Sequence, residues 1–109
     1  MLYSYRIIIF LGGDKMELVR ENNAFVHRDE TGEKLAEITF HLTDDPNVVM
    51  ADHTFVSPAL RGQGAAGKLL DRLVEEMEAE GKKIKASCSY GVRKFAEEPE
   101  KFDFINADA

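Results

Sequence analysis

At residue 64 the rhythm of apolar residues changes, and that change fixes most of what this chain can fold into. Upstream, Ala36, Ile38, Phe40 and Leu42 alternate with Glu37, Thr39 and His41, the pattern of an antiparallel strand with one buried face. Downstream, Ala66, Leu69, Leu70, Leu73, Val74 and Met77 fall on one face of a helix running from Gly64 to Glu80. Gly81 suits the position just past a helix end, where a left-handed backbone is common. "KKIKAS", Lys82 to Ser87, then reads as a short strand. A helix of this length can cross back over a sheet, so the strand is expected to lie parallel to Val48–Val56.

The first half is an antiparallel meander. "MELVRE" from Met16 and "NAFVHRD" from Asn23 read as strands, and "ETGE" (Glu30 to Glu33) supplies a turn with Gly32 free to take positive φ. "KLAEITFHL" is the alternating strand; "TDDPN" (Thr43 to Asn47) turns the chain into "VVMADHTFV", strand-like with weaker alternation. "SPALRGQG" is a loop, and "YGVRKFAEE" (Tyr90 to Glu98) a last short helix stopped near Pro99. The tail from Glu100 is left unassigned. The order β-β-β-β-α-β-α makes an α+β mixed sheet with one parallel crossover. Residues 1–15 read either as an extra strand or as an extension from an upstream start, with Met16 opening a single domain over 16–109; the second reading is favoured, and the segment can still pair with a sheet edge.

At 109 residues one domain is expected. Formal charge is −6, which argues against a nucleic-acid binder, since those carry a basic face. The apolar run Ile7 to Leu11 is far too short to span a bilayer. Cys88 is the single cysteine, so neither an intramolecular disulfide nor a cysteine metal cluster can form, and a reducing cytoplasm is the simplest setting. His27, His41 and His53 lack close metal-ligand spacing, and no metal is expected.

One stretch carries chemistry. "RGQGAAGK", Arg61 to Lys68, can be parsed three ways. Gly62, Gly64 and Gly67 spell the dinucleotide fingerprint G-x-G-x-x-G. Five residues separate its first glycine from the strand end at Val56, and no acid follows "KKIKAS" to hold a ribose. Gly62, Gly67 and Lys68 nearly spell an NTP-binding loop, but Leu69 stands where a magnesium-binding hydroxyl is needed. Arg61, Gly64 and Ala66 spell [QR]-x-x-G-x-[GA], and here the surroundings fit: strand, loop, long amphipathic helix, parallel strand.

On that string, with "HTFVSPALRGQGAAGKLL" (His53 to Leu70), "ASCSY" (Ala86 to Tyr90) and "LAEITF" (Leu35 to Phe40), the chain resembles the GNAT superfamily of N-acetyltransferases, and within it the small single-domain group. The resemblance covers roughly residues 16 to 102. It implies acetyl-coenzyme A as cosubstrate, a pyrophosphate at the loop, and a pantetheine arm in the gap between two splayed parallel strands. The residues agree. The helix start is free of carboxylates while Glu75, Glu76, Glu78 and Glu80 crowd its second half, the reverse of what the helix dipole prefers and what an anion at the N-terminus needs. Amides of Gly62, Gln63, Gly64, Ala65, Ala66 and Gly67 would hold the pyrophosphate beside Arg61, with Lys68 or Arg72 adding charge. Backbone groups of Phe55 and Val56 would pair with the arm, as strands recruit extended ligands.

Three residues are candidates for chemistry near the thioester. Cys88 either accepts the acetyl group as a nucleophile or only lines the pocket. His53 is a candidate base, or simply hydrogen-bonds at a strand irregularity. Tyr90 would protonate the leaving thiolate, as a tyrosine does in many GNAT enzymes, although its place directly after the strand is not the usual one. "VRENNAFVHRD" leaves no room for the helices that shape the acceptor pocket in larger members. The acceptor side should therefore be open, suiting a peptide or protein amine, and an acetyl-coenzyme A sensor without turnover is the alternative. A monomer or weak homodimer is expected.

Overall fold

Strands follow one another across the sheet in the order in which they occur along the chain. The computed structural model describes residues 6–11 and 14–109. Its strands are β1 (Arg6–Leu11), β2 (Asp14–Arg20), β3 (Ala24–Arg28), β4 (Lys34–Leu42), β5 (Val48–Val56) and β6 (Lys83–Ala86). A 3-10 turn, Pro58–Leu60, leads into α1 (Ala65–Ala79); α2 (Ser89–Glu97) and α3 (Pro99–Phe102) follow β6. All neighbouring strands pair antiparallel except β5 and β6, which are parallel. Residues 1–5 and 12–13 of the N-terminal extension lie outside the described residues; Arg6–Leu11 pairs with Asp14–Leu18 and Val19 as the outermost strand. No helix among the described residues is long and apolar enough to cross a membrane.

The helices share one face of the sheet. Ala36, Ile38 and Phe40 of β4 and Val49 and Ala51 of β5 meet Leu69, Leu70, Leu73 and Met77 of α1 in the buried core. Burying those four α1 side chains is worth roughly 6–12 kcal/mol before chain entropy is charged, so packing rather than propensity holds the helix. Leu42, expected on this buried face, is instead 64% exposed at the end of its strand. The tail left unassigned by sequence completes the core with Phe102 and Ile105. It also pairs with β6: the Ile84 amide donates to Ile105 (2.7 Å) and the Ala107 amide to Ile84 (2.8 Å).

A buried ionic network sits between α1 and the sheet. Arg72 donates to Glu76 (2.8 Å), and Arg20 of β2 donates to Glu76 (2.9 Å) and Glu80 (2.7 Å). The two guanidinium groups lie 5.3 and 5.8 Å from the Phe25 ring centre, at cation–π distance. This explains the acids in the second half of α1: Glu75, Glu76 and Glu80 all pair with Arg72 or Arg20. It also removes Arg72 from the phosphate-binding candidates, because its side chain is buried and paired.

Strand β5 is irregular where it faces Thr39 and Phe40. Thr39 pairs with His53 and Phe40 with Ala51, leaving Asp52 as an extra residue in β5. Such a bulge bends its strand and increases the local twist. The helix-facing positions of β5 accordingly step from buried Ala51 to half-buried Thr54, opposite Ile38, and not to exposed His53.

Candidate functional site

The parallel pairing of β5 and β6 stops at the bulge. Its last pair is Ala51 with Ala86, and the amides of Ser87 and Cys88 both converge on the Ala51 carbonyl, at 2.9 and 3.3 Å. Residues 52–56 of β5 continue with no β6 partner, so a gap opens between the strands. Antiparallel alternation tells which main-chain groups face it. The Ser57 amide donates to Leu35 on the β4 side (2.7 Å), and Val56 pairs with Ala36, Thr54 with Ile38. By the alternation of antiparallel ladders, Val56 and Thr54 therefore turn their amides and carbonyls away from β4 and into the gap. Phe55, expected to pair with a ligand arm, turns its groups toward β4, and Thr54 shares the gap-facing position with Val56.

At the Val56 end the gap meets a cleft of about 270 Å³ whose lining includes Val56, Leu60 and Arg61, the glycine loop, and Tyr90, Arg93 and Lys94 of α2. Gly62 and Gly64 both have φ of +80°, which side chains with a Cβ rarely adopt. This folds the loop so that α1 starts at Gly64 with no side-chain cap and no acid in its first turn. The first amides of a helix have no partner inside it, and here their outlook is a cleft edged by Arg61, Arg93 and Lys94. That arrangement suits a phosphate group. Two other clefts, of about 260 Å³ beside Val92 and Asn106 and about 420 Å³ between Asp44, Asp45 and Asp108, have no such row of amides.

Of the residues expected around the phosphates, Arg61, Gly62, Gly64, Ala65, Ala66 and Gly67 line the cleft. Gln63 instead donates to the Ala59 carbonyl (3.4 Å), and Lys68 is exposed outside the lining. Arg93 and Lys94 went unnoticed in the sequence because α2 follows twenty residues later in a separate element. Their signal was a basic pair in the middle of a short helix, with Lys94 in its last turn. Lys94 is tied to Glu98 (3.1 Å), whose hydrogen bond raises its ammonium above the usual lysine value.

The three candidates for chemistry are distributed. Cys88 caps α2: its thiol sulfur accepts from the Gly91 amide (3.3 Å) and lies 3.6 Å from the Thr54 hydroxyl, at the closed end of the gap. Tyr90 stands over α1, where a Cβ added at Gly67 would lie 3.6 Å from its hydroxyl. Burial pushes that hydroxyl above the ordinary phenol value, so it is a hydrogen-bond donor beside the glycine loop. His53 is exposed and shares the opposite, helix-free face of the sheet with Thr39. The geometry thus brings Cys88 together with Thr54, and Tyr90 with the glycine loop, but sends His53 to the far side.

Comparison with known proteins agrees with this layout. A family model for GCN5-related N-acetyl-transferases matches residues 24–104. The solution structure of a GCN5-like candidate N-acetyltransferase from Staphylococcus aureus is 35% identical, covers 84% of this chain and 87% of its own, and superposes with a TM-score of 0.67. A candidate acetyltransferase from Deinococcus radiodurans shares the fold at 20% identity and a TM-score of 0.53, over 68% of this chain and half of its own. Curated proteins give no match. On the family model and the 35% identical structure, the chain belongs to the GCN5-related N-acetyltransferase family.

Proposed function

We propose that this protein binds acetyl-coenzyme A and transfers the acetyl group to an amine, using Cys88 as an intermediate carrier. The observation that carries the reading is a continuous path on the helix side. It starts at the uncapped amides of α1, passes the gap-facing backbone of Val56 and Thr54, and ends at the Cys88 thiol. A diphosphate fits the first station and an amide-bearing arm the second. A thioester would then reach the third.

In the first step the Cys88 thiolate attacks the acetyl carbonyl; the new C–S bond forms as the bond to the coenzyme sulfur breaks and the coenzyme leaves as thiolate. The Gly91 amide at the start of α2 donates to Sγ and fixes its position at the end of the path. In the second, an amine attacks acetyl-Cys88 and restores the thiol. Arg61, Arg93 and Lys94 would hold the phosphates, and Tyr90 would donate to them or to the arm. The acceptor is a peptide or protein amine, because among the described residues no helix beyond the sheet closes a pocket around a small one.

Calorimetry with acetyl-coenzyme A, coenzyme A, ATP and NAD tests the ligand, and intact mass after incubation with acetyl-coenzyme A tests the carrier. The expected result is binding of the two coenzyme A forms alone and one added acetyl group, absent in Cys88→Ala. Binding of magnesium-ATP without coenzyme binding refutes the reading.

A further inference from the structure

Beyond Ala51 the residues of β5 suit two phases against β4. In the observed phase Thr54 stands opposite Ile38 and Val56 opposite Ala36, on the helix side. Without the extra residue, His53 would face Ile38 and Phe55 would face Ala36. Each pair joins one polar to one apolar side chain, and Phe55 is half-buried like Val56, so hydrophobic patterning does not choose between them. The choice has consequences, because a shift by one residue exchanges the two faces and turns every main-chain group around. The other phase would aim the Phe55 amide into the gap and return those of Thr54 and Val56 to β4. It would also take away the Thr54 hydroxyl that lies 3.6 Å from the Cys88 sulfur.

Asp52, the extra residue, breaks this tie from the helix-free face. Its Oδ1 accepts from the Thr39 hydroxyl, and Oδ2 lies 2.6 Å from Nδ1 of His41. A carboxylate only accepts, so Nδ1 is the donor. Thr39 pairs with His53 on one side of the bulge and His41 with Met50 on the other, so the carboxylate spans the irregularity. In a regular ladder Asp52 would stand directly opposite Thr39, with His41 on the diagonal at about 7–8 Å. The bulge sets it between the two, and one carboxylate takes both donors. Partial burial raises the Asp52 carboxyl, and the hydrogen bonds from Thr39 and His41 more than offset this, holding it below the usual aspartate value. Bonds to an ionised acceptor are roughly twice as strong as neutral ones, which suits them to hold a strand in one of two near-equal registers.

We propose that Asp52, gripped by Thr39 and His41, is a register pin: a positioning residue that fixes the phase of β5 and thereby selects Thr54 and Val56 to meet the coenzyme arm. It acts through the strand and touches no ligand. Its effect on the strand stands by itself; its effect on the coenzyme rests on the reading proposed above.

Amide hydrogen exchange followed by NMR on the ligand-free protein reads the phase directly. In wild type the Phe55 amide should be protected by β4, and those of Thr54 and Val56 should exchange fast. Asp52→Ala and His41→Leu should speed exchange at Phe55 by about tenfold or more, the scale of one charged hydrogen bond, and slow it at Thr54 and Val56. The Glu37 amide faces β5 in either phase and should stay protected; equal speeding at Glu37 and Phe55 would mean general loosening and overturns the proposal. His41 is exposed, so its variants carry the test even where Asp52→Ala does not fold. His41→Asn keeps a donor where Nδ1 stood and should match wild type. Wild-type exchange in His41→Leu overturns the proposal, as does an equal shift in His41→Asn and His41→Leu. Calorimetry with coenzyme A should show about a tenfold loss of affinity in the variants whose phase shifts, and undiminished affinity there overturns the link to the coenzyme. A wild type that binds no coenzyme A while the exchange pattern shifts as expected supports the pin and overturns the coenzyme reading.

Discussion

Gly64 offers a substitution pair that separates fold from ligand. Its φ is +80°, and a Cβ built there meets nothing within 4 Å. Gly64→Ala therefore adds backbone strain and no clash. That strain is about 1–2 kcal/mol, and the stiffer unfolded chain offsets roughly 0.4–1 kcal/mol of it. The net loss is about 1 kcal/mol, a drop in Tm of roughly 5 °C for a domain of this size, within what marginal stability tolerates. Gly64→Glu carries the same strain plus a carboxylate facing the cleft. At about 6 Å and an effective dielectric near 20, one such charge repels a unit of phosphate charge by roughly 3 kcal/mol, about a hundredfold in affinity. Thermal melts should show the two variants within a few degrees of each other, while calorimetry with acetyl-coenzyme A should show weak loss for Ala and severe loss for Glu. Undiminished affinity in a folded Gly64→Glu variant would falsify the placement of phosphate at the start of α1.

Further outcomes are expected elsewhere. Glu76 is 5% exposed and bonded to both Arg72 and Arg20, so Glu76→Ala should destabilise by about 3 kcal/mol by removing the buried carboxylate that both guanidinium groups share; a urea-melt difference below about 1 kcal/mol contradicts this. Arg93→Ala with Lys94→Ala should weaken coenzyme affinity at least about tenfold, the scale of a charged hydrogen bond, and flatten its salt dependence; equal salt slopes would place those cations away from the phosphates. The depressed Asp52 carboxyl contributes stability that is full above the unfolded aspartate value and is lost as pH falls through its folded one. The Tm gap between wild type and Asp52→Asn should therefore shrink on acidification below that range, and a gap constant with pH argues against the ionised form. Gly91→Ala puts a methyl 3.3 Å from the Cys88 sulfur and 3.2 Å from Ala86, so alkylation of Cys88 should change rate without loss of fold by circular dichroism; an unaltered rate would show that α2 shifts to accommodate it.

Much of this architecture can be read from local pattern. The spans of β4 and β5 match the alternating stretches end to end, and α1 differs from its expected limits by one residue at each end, because period and glycine placement are properties of the segment itself. What depends on distant partners was harder. Arg72 looked like a phosphate ligand until Phe25 and Glu76 claimed it. Arg93 and Lys94 join the loop only through packing of α2. The bulge left one trace, the weakened alternation of Val48–Val56, which is now explained by a three-residue step from Ala51 to Thr54. His41 gave no sign at all, since its partner lies eleven positions on, across a turn.

The molecule measures only 18 Å along its shortest axis, with helices on a single side. A slab this thin, with no helix packed on its other surface among the described residues, encloses nothing on that side, so a large, folded polypeptide could lie against it without being swallowed by the enzyme.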